Sequence, residues 1–184
     1  KFEAIDFLYI ADGHHRSAAA SRVNASRSGA GQSGFFLTVT FPHNQMKILP
    51  YNRAVKDLNG LDAESFLKRL GTIFEITEGG AKGYGAKNEL GLYLKGTWRR
   101  LVFKPEFAKA DTPMDELDVA LLQNHVLHPI LAIDDPRTSD RIDFIGGIRG
   151  TAELERLVDG GDYACAFSMY PTSIEDLMAI ADAG

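Results

Sequence analysis

The stretch Leu90-Gly-Leu-Tyr-Leu-Lys-Gly-Thr-Trp-Arg-Arg-Leu-Val-Phe103 decides the fold class. Two apolar runs, Leu90–Leu94 and Trp98–Phe103, flank Lys95-Gly96, which is the pattern of a β-hairpin with a tight turn. A hairpin joins antiparallel neighbours, whereas parallel strands need a longer crossover between them. We therefore predict an α+β fold with a mixed or antiparallel sheet and helices.

Further strands and helices are predicted on both sides of this hairpin from apolar periodicity and capping signals. The predicted strands are Phe7–Ala11, Phe35–Phe41, Gln45–Leu49, Thr72–Thr77, Ile142–Ile145 and Tyr163–Met169. The predicted helices are His14–Arg27, a helix capped by Asp62 that runs through Leu70, Asp115–Leu127, Glu153–Val158, and a final helix with Thr172 and Glu175 at capping-box spacing. Between the strands, Gly79–Lys87 is predicted as a flexible loop, either a lid over phosphates or a disordered connection.

Length and composition bound the domain organisation. The chain has 184 residues, of which 45% are hydrophobic and 24% charged, as in ordinary globular domains. We predict a single domain over residues 1–184, with a subdivision near residues 105–115 as the alternative. Because the chain begins with Lys1 and a strand follows at once, we expect it to be a piece of a longer protein.

The charge balance narrows the class of partner. With 20 basic and 25 acidic residues the net charge is −5, which disfavours general binding to nucleic acid. No apolar run approaches the ~20 residues that span a bilayer, so we predict no membrane insertion and a cytoplasmic location. The single Cys165 lies in an apolar run and is predicted to be a buried core residue.

The strongest chemical signal is Asp12-Gly13-His14-His15-Arg16, which stands where the first predicted strand passes into the first predicted helix. A helix N-terminus offers unpaired N–H groups to an anion, and an arginine adds a bidentate fork for phosphate oxygens. Asp12, His14 and His15 are the candidate catalytic residues, and Asp12 is also a candidate metal ligand. The alternative is that Asp12 only caps the helix and that the histidines are surface residues.

Two later segments could add contacts to an anion. Arg53 follows the turn Pro50-Tyr51-Asn52, and Gly146, Gly147 and Arg149 lie between a predicted strand and a predicted helix. Asp143 on that strand is a second candidate metal residue. Surface turns with arginines held in salt bridges would explain the same pattern.

The Asp-Gly-His-His-Arg turn followed by a helix of small residues resembles the phosphate-binding loop of the ParB/sulfiredoxin-like superfamily. That superfamily includes CTP-binding partitioning proteins, sulfiredoxins and free-serine kinases that use ADP or ATP. The resemblance implies a ParB/sulfiredoxin-like nucleotide-binding core in which Gly13, His14, His15 and Arg16 hold the phosphates.

The chain as a whole resembles a narrower family of conserved bacterial and archaeal proteins of unknown function that is associated with phosphoserine aminotransferase. The resemblance rests on four blocks: Ile10–Arg16, Leu49–Arg53, Ile142–Gly147 and Ala166–Thr172. This family usually has a region before the His-His-Arg block and a lysine-containing block after the last helix.

Together these resemblances imply a nucleotide-dependent phosphotransferase, a kinase that acts on a small hydroxylated metabolite such as serine. ATP or ADP with Mg²⁺ would be the cofactor. Two alternatives remain open: a nucleotide-sensing module without catalysis, and a metal-dependent hydrolase that uses His14 and His15. The sequence leaves the oligomeric state open.

Overall fold

The computed structural model describes residues 2–79, 82–83 and 85–183. Its contacts divide the chain into two compact units, Lys1–Met46 with Ala181–Gly184, and Lys47–Ile180. The single domain with an alternative subdivision near 105–115 stays a prediction. The helices are α1 His14–Ser26, α2 Ala63–Ile73, α3 Asp118–Leu122, α4 Gly150–Asp159 and α5 Ile174–Ala183; the strands are β1 Tyr51–Val55, β2 Phe74–Glu78, β3 Glu89–Leu94, β4 Thr97–Phe103, β5 Ile142–Gly146 and β6 Cys165–Ser168.

The six strands form an open sheet in the order β2-β4-β3-β6-β1-β5. Every neighbouring pair is antiparallel, so the α+β class with an antiparallel sheet is confirmed. The hairpin of β3 and β4 turns at Lys95 and Gly96, whose φ angles are 48° and 73°. Two successive positive φ angles define a type I′ turn, which matches the twist of the flanking strands.

Both faces of the sheet are covered in the second unit. On one face the leucines of β3 pack with Phe167 of β6 against α2 and α3. On the other face Tyr93, Trp98 and Ala166 pack against α4. Since β3 and β6 lie in the middle of this sandwich, nearly all their residues are buried. Cys165 is among them, at 0% exposure, which confirms the predicted core position.

The first unit is built differently. Helix α1 begins and ends close to its predicted bounds, but none of the residues 3–46 is buried. The predicted strands Phe7–Ala11, Phe35–Phe41 and Gln45–Leu49 are wrong, because residues 2–50 contain no strand. Alternating apolar residues show which side chains a strand would bury, yet a strand forms only where a neighbour accepts its backbone hydrogen bonds. Phe35 and Leu37 accordingly remain 83% and 90% exposed.

Several predicted elements of the second unit exist with different ends. Helix α2 is capped as predicted, since Asp62 Oδ1 accepts a hydrogen bond of 2.7 Å from the Ser65 N–H, but it continues to Ile73 and delays β2. The single helix predicted over 115–127 is instead α3 followed by one π-helical turn, Gln123–Leu127.

The capping box of α5 lies one residue later than predicted. The Asp176 N–H donates to Ser173 Oγ at 2.9 Å and the Ser173 N–H donates to Asp176 Oδ2 at 3.3 Å. Thr172 and Glu175 have the same spacing, so spacing alone could not choose between the two pairs. None of the described helices is long and apolar enough to cross a membrane.

In the glycine-rich segment after β2, Gly83 lies at backbone contact distance from the sheet. Residues 80, 81 and 84 lie outside the described residues, but Gly83 is buried and has a φ of 93°. A Cβ placed on Gly91 of β3 would lie 2.7 Å from the carbonyl carbon and oxygen of Gly83. Next to Gly83, Lys82 forms an ion pair of 2.7 Å with Glu155. Gly83 is therefore packed against β3, whereas the other described residues of the segment are exposed.

Candidate functional site

The turn before α1 is shaped by Gly13. This residue is the N-cap of the helix with a φ of 82° and a ψ of 25°, the left-handed conformation that glycine adopts without strain. The Gly13 N–H donates to Asp12 Oδ1 at 2.7 Å. Arg16, one turn further on, lies 3.3 Å from Asp12 Oδ2 and is 75% exposed. Asp12 therefore stabilises the turn through its contacts with Gly13 and Arg16, but its side chain does not cap the helix.

As a result the first turn of α1 presents unpaired donors. No side chain caps it, and the first intrahelical bond is 2.9 Å long, from the Ser17 N–H to the Gly13 oxygen. Within the described ranges the N–H groups of His14, His15 and Arg16 have no acceptor, as expected for a helix start. These residues with Asp12 and Gly13 line an open concavity of about 410 Å³. The helix dipole adds partial positive charge at the same place.

The two histidines of this turn are exposed side chains. Neither makes a hydrogen bond or an ion pair with another residue in the part of the chain that the structure describes. All five residues predicted to act together, Asp12 to Arg16, are therefore placed together, and their side chains are accessible from solvent. Whether they bind or catalyse stays a prediction.

In the second unit, antiparallel pairing brings Arg53 and Gly146 to one corner of the sheet. Tyr51 of β1 stands opposite Gly146 of β5, and Arg53 stands opposite Phe144. The Arg53 guanidinium carbon lies 4.2 Å from the ring centroid of Phe144 and 5.4 Å from that of Tyr51. Burial lowers the pKa of Arg53 to about 10, so it remains protonated at neutral pH.

The remaining predicted anion contacts have structural explanations. The Gly147 N–H donates to the Pro50 oxygen at 2.8 Å, and a Cβ on Gly147 would lie 2.5 Å from that oxygen. Gly147 is therefore required by the close approach of Pro50. Arg149 is exposed and lies 3.4 Å from Glu153. Gly146, by contrast, faces open space at its Cβ position.

Asp143 is engaged in contacts on the sheet. Its Oδ2 accepts a hydrogen bond of 2.6 Å from the Tyr163 hydroxyl and lies 3.8 Å from Lys56 Nζ. The bond to Asp143 raises the pKa of Tyr163 to about 12. Across residues 2–79, 82–83 and 85–183, no group of three or more histidine, cysteine, aspartate or glutamate side chains is placed to hold a metal ion. Asp12 and Asp143 belong to different units.

One polar residue that the sequence did not single out is Asp118. It is only 5% exposed, and both of its oxygens accept the Asn88 N–H, at 3.0 and 3.2 Å. Burial raises the pKa of Asp118 to about 6 against the opposing effects of the Asn88 N–H and Lys87, and Asp176 adds to the rise. Sequence patterning could not find it, because the segment that buries it comes from thirty residues earlier in the chain.

Comparison with known proteins identifies a family but no characterised relative. Neither a search of curated proteins nor a search of solved structures returned a significant match. One family model, described as "Protein of unknown function (DUF1015)", matches residues 1–120, which is more than half of the chain. The matched range includes α1 and its preceding turn as well as Arg53 on β1. The expected kinship with a conserved family of unknown function is therefore confirmed: the chain belongs to the DUF1015 family.

Proposed function

We propose that the turn Asp12–Arg16 binds the phosphate groups of a nucleotide. The observation that carries the proposal is the uncapped first turn of α1, where three free N–H groups stand beside an exposed arginine. A phosphate there would receive backbone hydrogen bonds, the helix dipole and a charge-assisted bond from Arg16. Arg16 would have to release only a surface ion pair, which is worth at most about 1 kcal/mol.

The proposal extends to phosphotransfer in a ParB/sulfiredoxin-like core, with serine or a similar hydroxylated metabolite as acceptor. Mg²⁺ that accompanies a nucleotide commonly takes one or two protein carboxylates and completes its shell with phosphate oxygens and water. Asp12, whose side chain is 93% exposed, offers such a carboxylate beside the turn. When bound, Mg²⁺ would neutralise phosphate charge. His14 or His15 would accept the proton of the acceptor hydroxyl.

Direct titration is the appropriate experiment, because the first unit has no buried residue among residues 3–46 and its melting would give a weak signal. ATP, ADP and CTP, each with Mg²⁺, are titrated by calorimetry into the chain and into Arg16→Ala. We expect a nucleotide to bind and the variant to lose about tenfold or more in affinity, as for removal of a charge-assisted hydrogen bond. Arg22→Ala is the matched control, since Arg22 is an exposed arginine on the same helix.

Addition of serine to the nucleotide-bound chain, followed by an assay for phosphoserine, distinguishes binding from catalysis. Formation of phosphoserine from serine and the bound nucleotide would support the kinase. Tight binding without turnover would favour a nucleotide-sensing module instead. Absence of binding with all three nucleotides, or equal affinity of the Arg16→Ala chain, would refute the nucleotide site.

A further inference from the structure

Arg53 differs from the other arginines in the described ranges, because it is half-buried and has no carboxylate partner. Three of the others are exposed and, among the described residues, unpaired: Arg22, Arg27 and Arg69. The rest pair with an acidic side chain: Arg16, Arg99, Arg100, Arg137, Arg141, Arg149 and Arg156. In a chain with an excess of acidic residues, a half-buried arginine without a counter-charge is an exception that needs a reason.

The contacts that Arg53 does make leave part of its guanidinium free. Its Nη1 donates to the backbone oxygens of Tyr51 and Asn52. Its guanidinium carbon lies over the Phe144 ring, at a distance typical of a cation–π contact. Among the described residues no acceptor is placed on Nε or Nη2. A guanidinium presents its donors as a planar fork, and the free part of this fork fits a carboxylate or a phosphate.

The strand beside Arg53 supplies further donors at the same corner of the sheet. β5 is the last strand of the sheet. The residues that flank it bond towards β1: the Arg141 oxygen accepts from the Lys56 N–H, and the Gly147 N–H donates to the Pro50 oxygen. The backbone groups of the odd-numbered residues therefore point towards β1. Since the direction of backbone groups alternates along a strand, the N–H groups of Phe144 and Gly146 point away from β1. A Cβ at Gly146 would meet nothing within 4 Å, so the sheet face that Gly146 shares with Tyr51, Arg53 and Phe144 is open there.

Aromatic surface completes the corner. Tyr51 is 54% exposed, and its ring lies 5.3 Å from that of Phe144. Rings beside an arginine provide a flat apolar surface next to the charge. A ligand with an oxyanion and a planar or apolar body would therefore meet both of its requirements here.

We propose that Arg53, Tyr51 and Phe144 form an oxyanion-binding site for a small molecule that carries a carboxylate or phosphate on a planar apolar body. The site uses residues of the second unit and does not depend on the nucleotide turn before α1. The bound oxyanion supplies the counter-charge that Arg53 lacks. Without the ligand, the cost of burying an unpaired charge lowers the stability of the fold.

Three probes test the site: phenyl phosphate, benzoate and inorganic phosphate. Each is titrated into the isotopically labelled chain while the arginine Nε–H and glycine amide NMR signals are followed. We expect phenyl phosphate or benzoate to shift the Arg53 Nε–H and Gly146 N–H signals saturably, with inorganic phosphate weaker because it has no ring. A response to phenyl phosphate alone would identify a phosphate ligand, and a response to benzoate alone a carboxylate.

Variants assign the binding to Arg53. Arg53→Met keeps the apolar contact with Phe144 and should abolish binding, while Arg53→Lys keeps the charge and should weaken binding several-fold through loss of the fork. The matched control is Arg141→Met, which removes a half-buried arginine from the same strand pair but one that is paired with Asp57. Arg141→Met should bind as the unsubstituted chain does, although it should be less stable. Arg53→Met should unfold at an equal or higher denaturant concentration.

Several results would overturn the proposal. They are no response to any probe, a response that leaves the Arg53 signal unmoved, and equal binding by Arg53→Met. If Arg53→Met does not fold, the affinity of Arg53→Lys and the shifts of the Arg53 Nε–H and Gly146 N–H signals in the unsubstituted chain decide whether the ligand binds at Arg53. If Arg16→Ala abolishes binding and Arg53→Met does not, the anion lies at the nucleotide turn, which would support the proposed function and refute the Arg53 site.

Discussion

Replacing the buried Asp118 by asparagine should stabilise the protein at neutral pH. The carboxylate is held away from water beneath the segment that contains Lys87 and Asn88, and its partner there is a single N–H. Asparagine has the same shape, keeps an oxygen to accept the Asn88 N–H and carries no charge. The substitution therefore removes the cost of a desolvated charge, while the amide NH2 replaces one of the two oxygens that accept the Asn88 N–H.

The expected magnitude comes from the pKa. Burial raises the pKa of Asp118 from 3.8 to about 6. Each unit of difference between the folded and unfolded states corresponds to about 1.4 kcal/mol, so the ionised carboxylate costs at most about 3 kcal/mol above about pH 6. Lys87, which pairs with Asp176 at 3.2 Å, already offsets part of the cost, and its effect is contained in the pKa.

The contribution of Asp118 to the free energy of unfolding depends on pH in the direction opposite to that of most aspartates. Because the pKa is higher in the folded state, the folded protein binds the proton more tightly, and the contribution of Asp118 is most favourable below about pH 4. This contribution is lost as the pH rises through about 6. The difference in unfolding free energy between Asp118→Asn and the unsubstituted chain should therefore be near zero at about pH 4 and largest at about pH 8.

Urea unfolding at a series of pH values from about 4 to about 8 measures this difference, with equal m-values as the check that the same unit unfolds. Asp115→Asn is the control, since Asp115 is only half-buried and its carboxylate accepts an exposed hydrogen bond from the Thr112 hydroxyl. The reasoning is refuted if Asp118→Asn is less stable than the unsubstituted chain at about pH 8, or if their difference does not change with pH.

Two further predictions concern packing and capping. Gly91→Ala should lose about 2 kcal/mol or more of stability, because its Cβ would overlap the Gly83 backbone. Gly71→Ala in α2 is the control, since its Cβ meets nothing within 4 Å, and it should gain up to about 1 kcal/mol. Urea midpoints test both, and a tolerated Gly91→Ala would contradict the close contact with Gly83. Ser173→Ala should lose about 1 kcal/mol of stability through loss of the cap, while Thr172→Ala should change stability little. A larger loss from Thr172→Ala than from Ser173→Ala in the same assay would show that Thr172 is the capping residue.

The parts of the fold that the sequence predicted are those with local causes. Lys95-Gly96 accepts the left-handed angles of a tight turn, so the hairpin of β3 and β4 was recognisable from a few residues. Asp62 caps α2 through a bond to the third residue after it, which is also a local property. Strand Phe35–Phe41 failed because a strand depends on a neighbour that its own residues do not specify.

The candidate sites divide in the same way. The turn Asp12–Arg16 is contiguous in sequence, and the helix start that groups it was predictable from Gly13 and the small residues that follow. The corner at Arg53 depends on the register of β1 with β5, which places Phe144 opposite Arg53 across ninety intervening residues. The sequence identified the arginine but could not show that it lacks a counter-charge.

The buried thiol of Cys165 gives the protein an internal reporter of sheet opening. The chain contains one cysteine, and it lies on β6, between β3 and β1. Burial raises its pKa to about 12, so the thiol is neither ionised nor reachable at ordinary pH while these strands stay together. The rate at which a thiol-specific reagent labels the native protein therefore measures how often the middle of the sheet opens, and no labelling site has to be engineered.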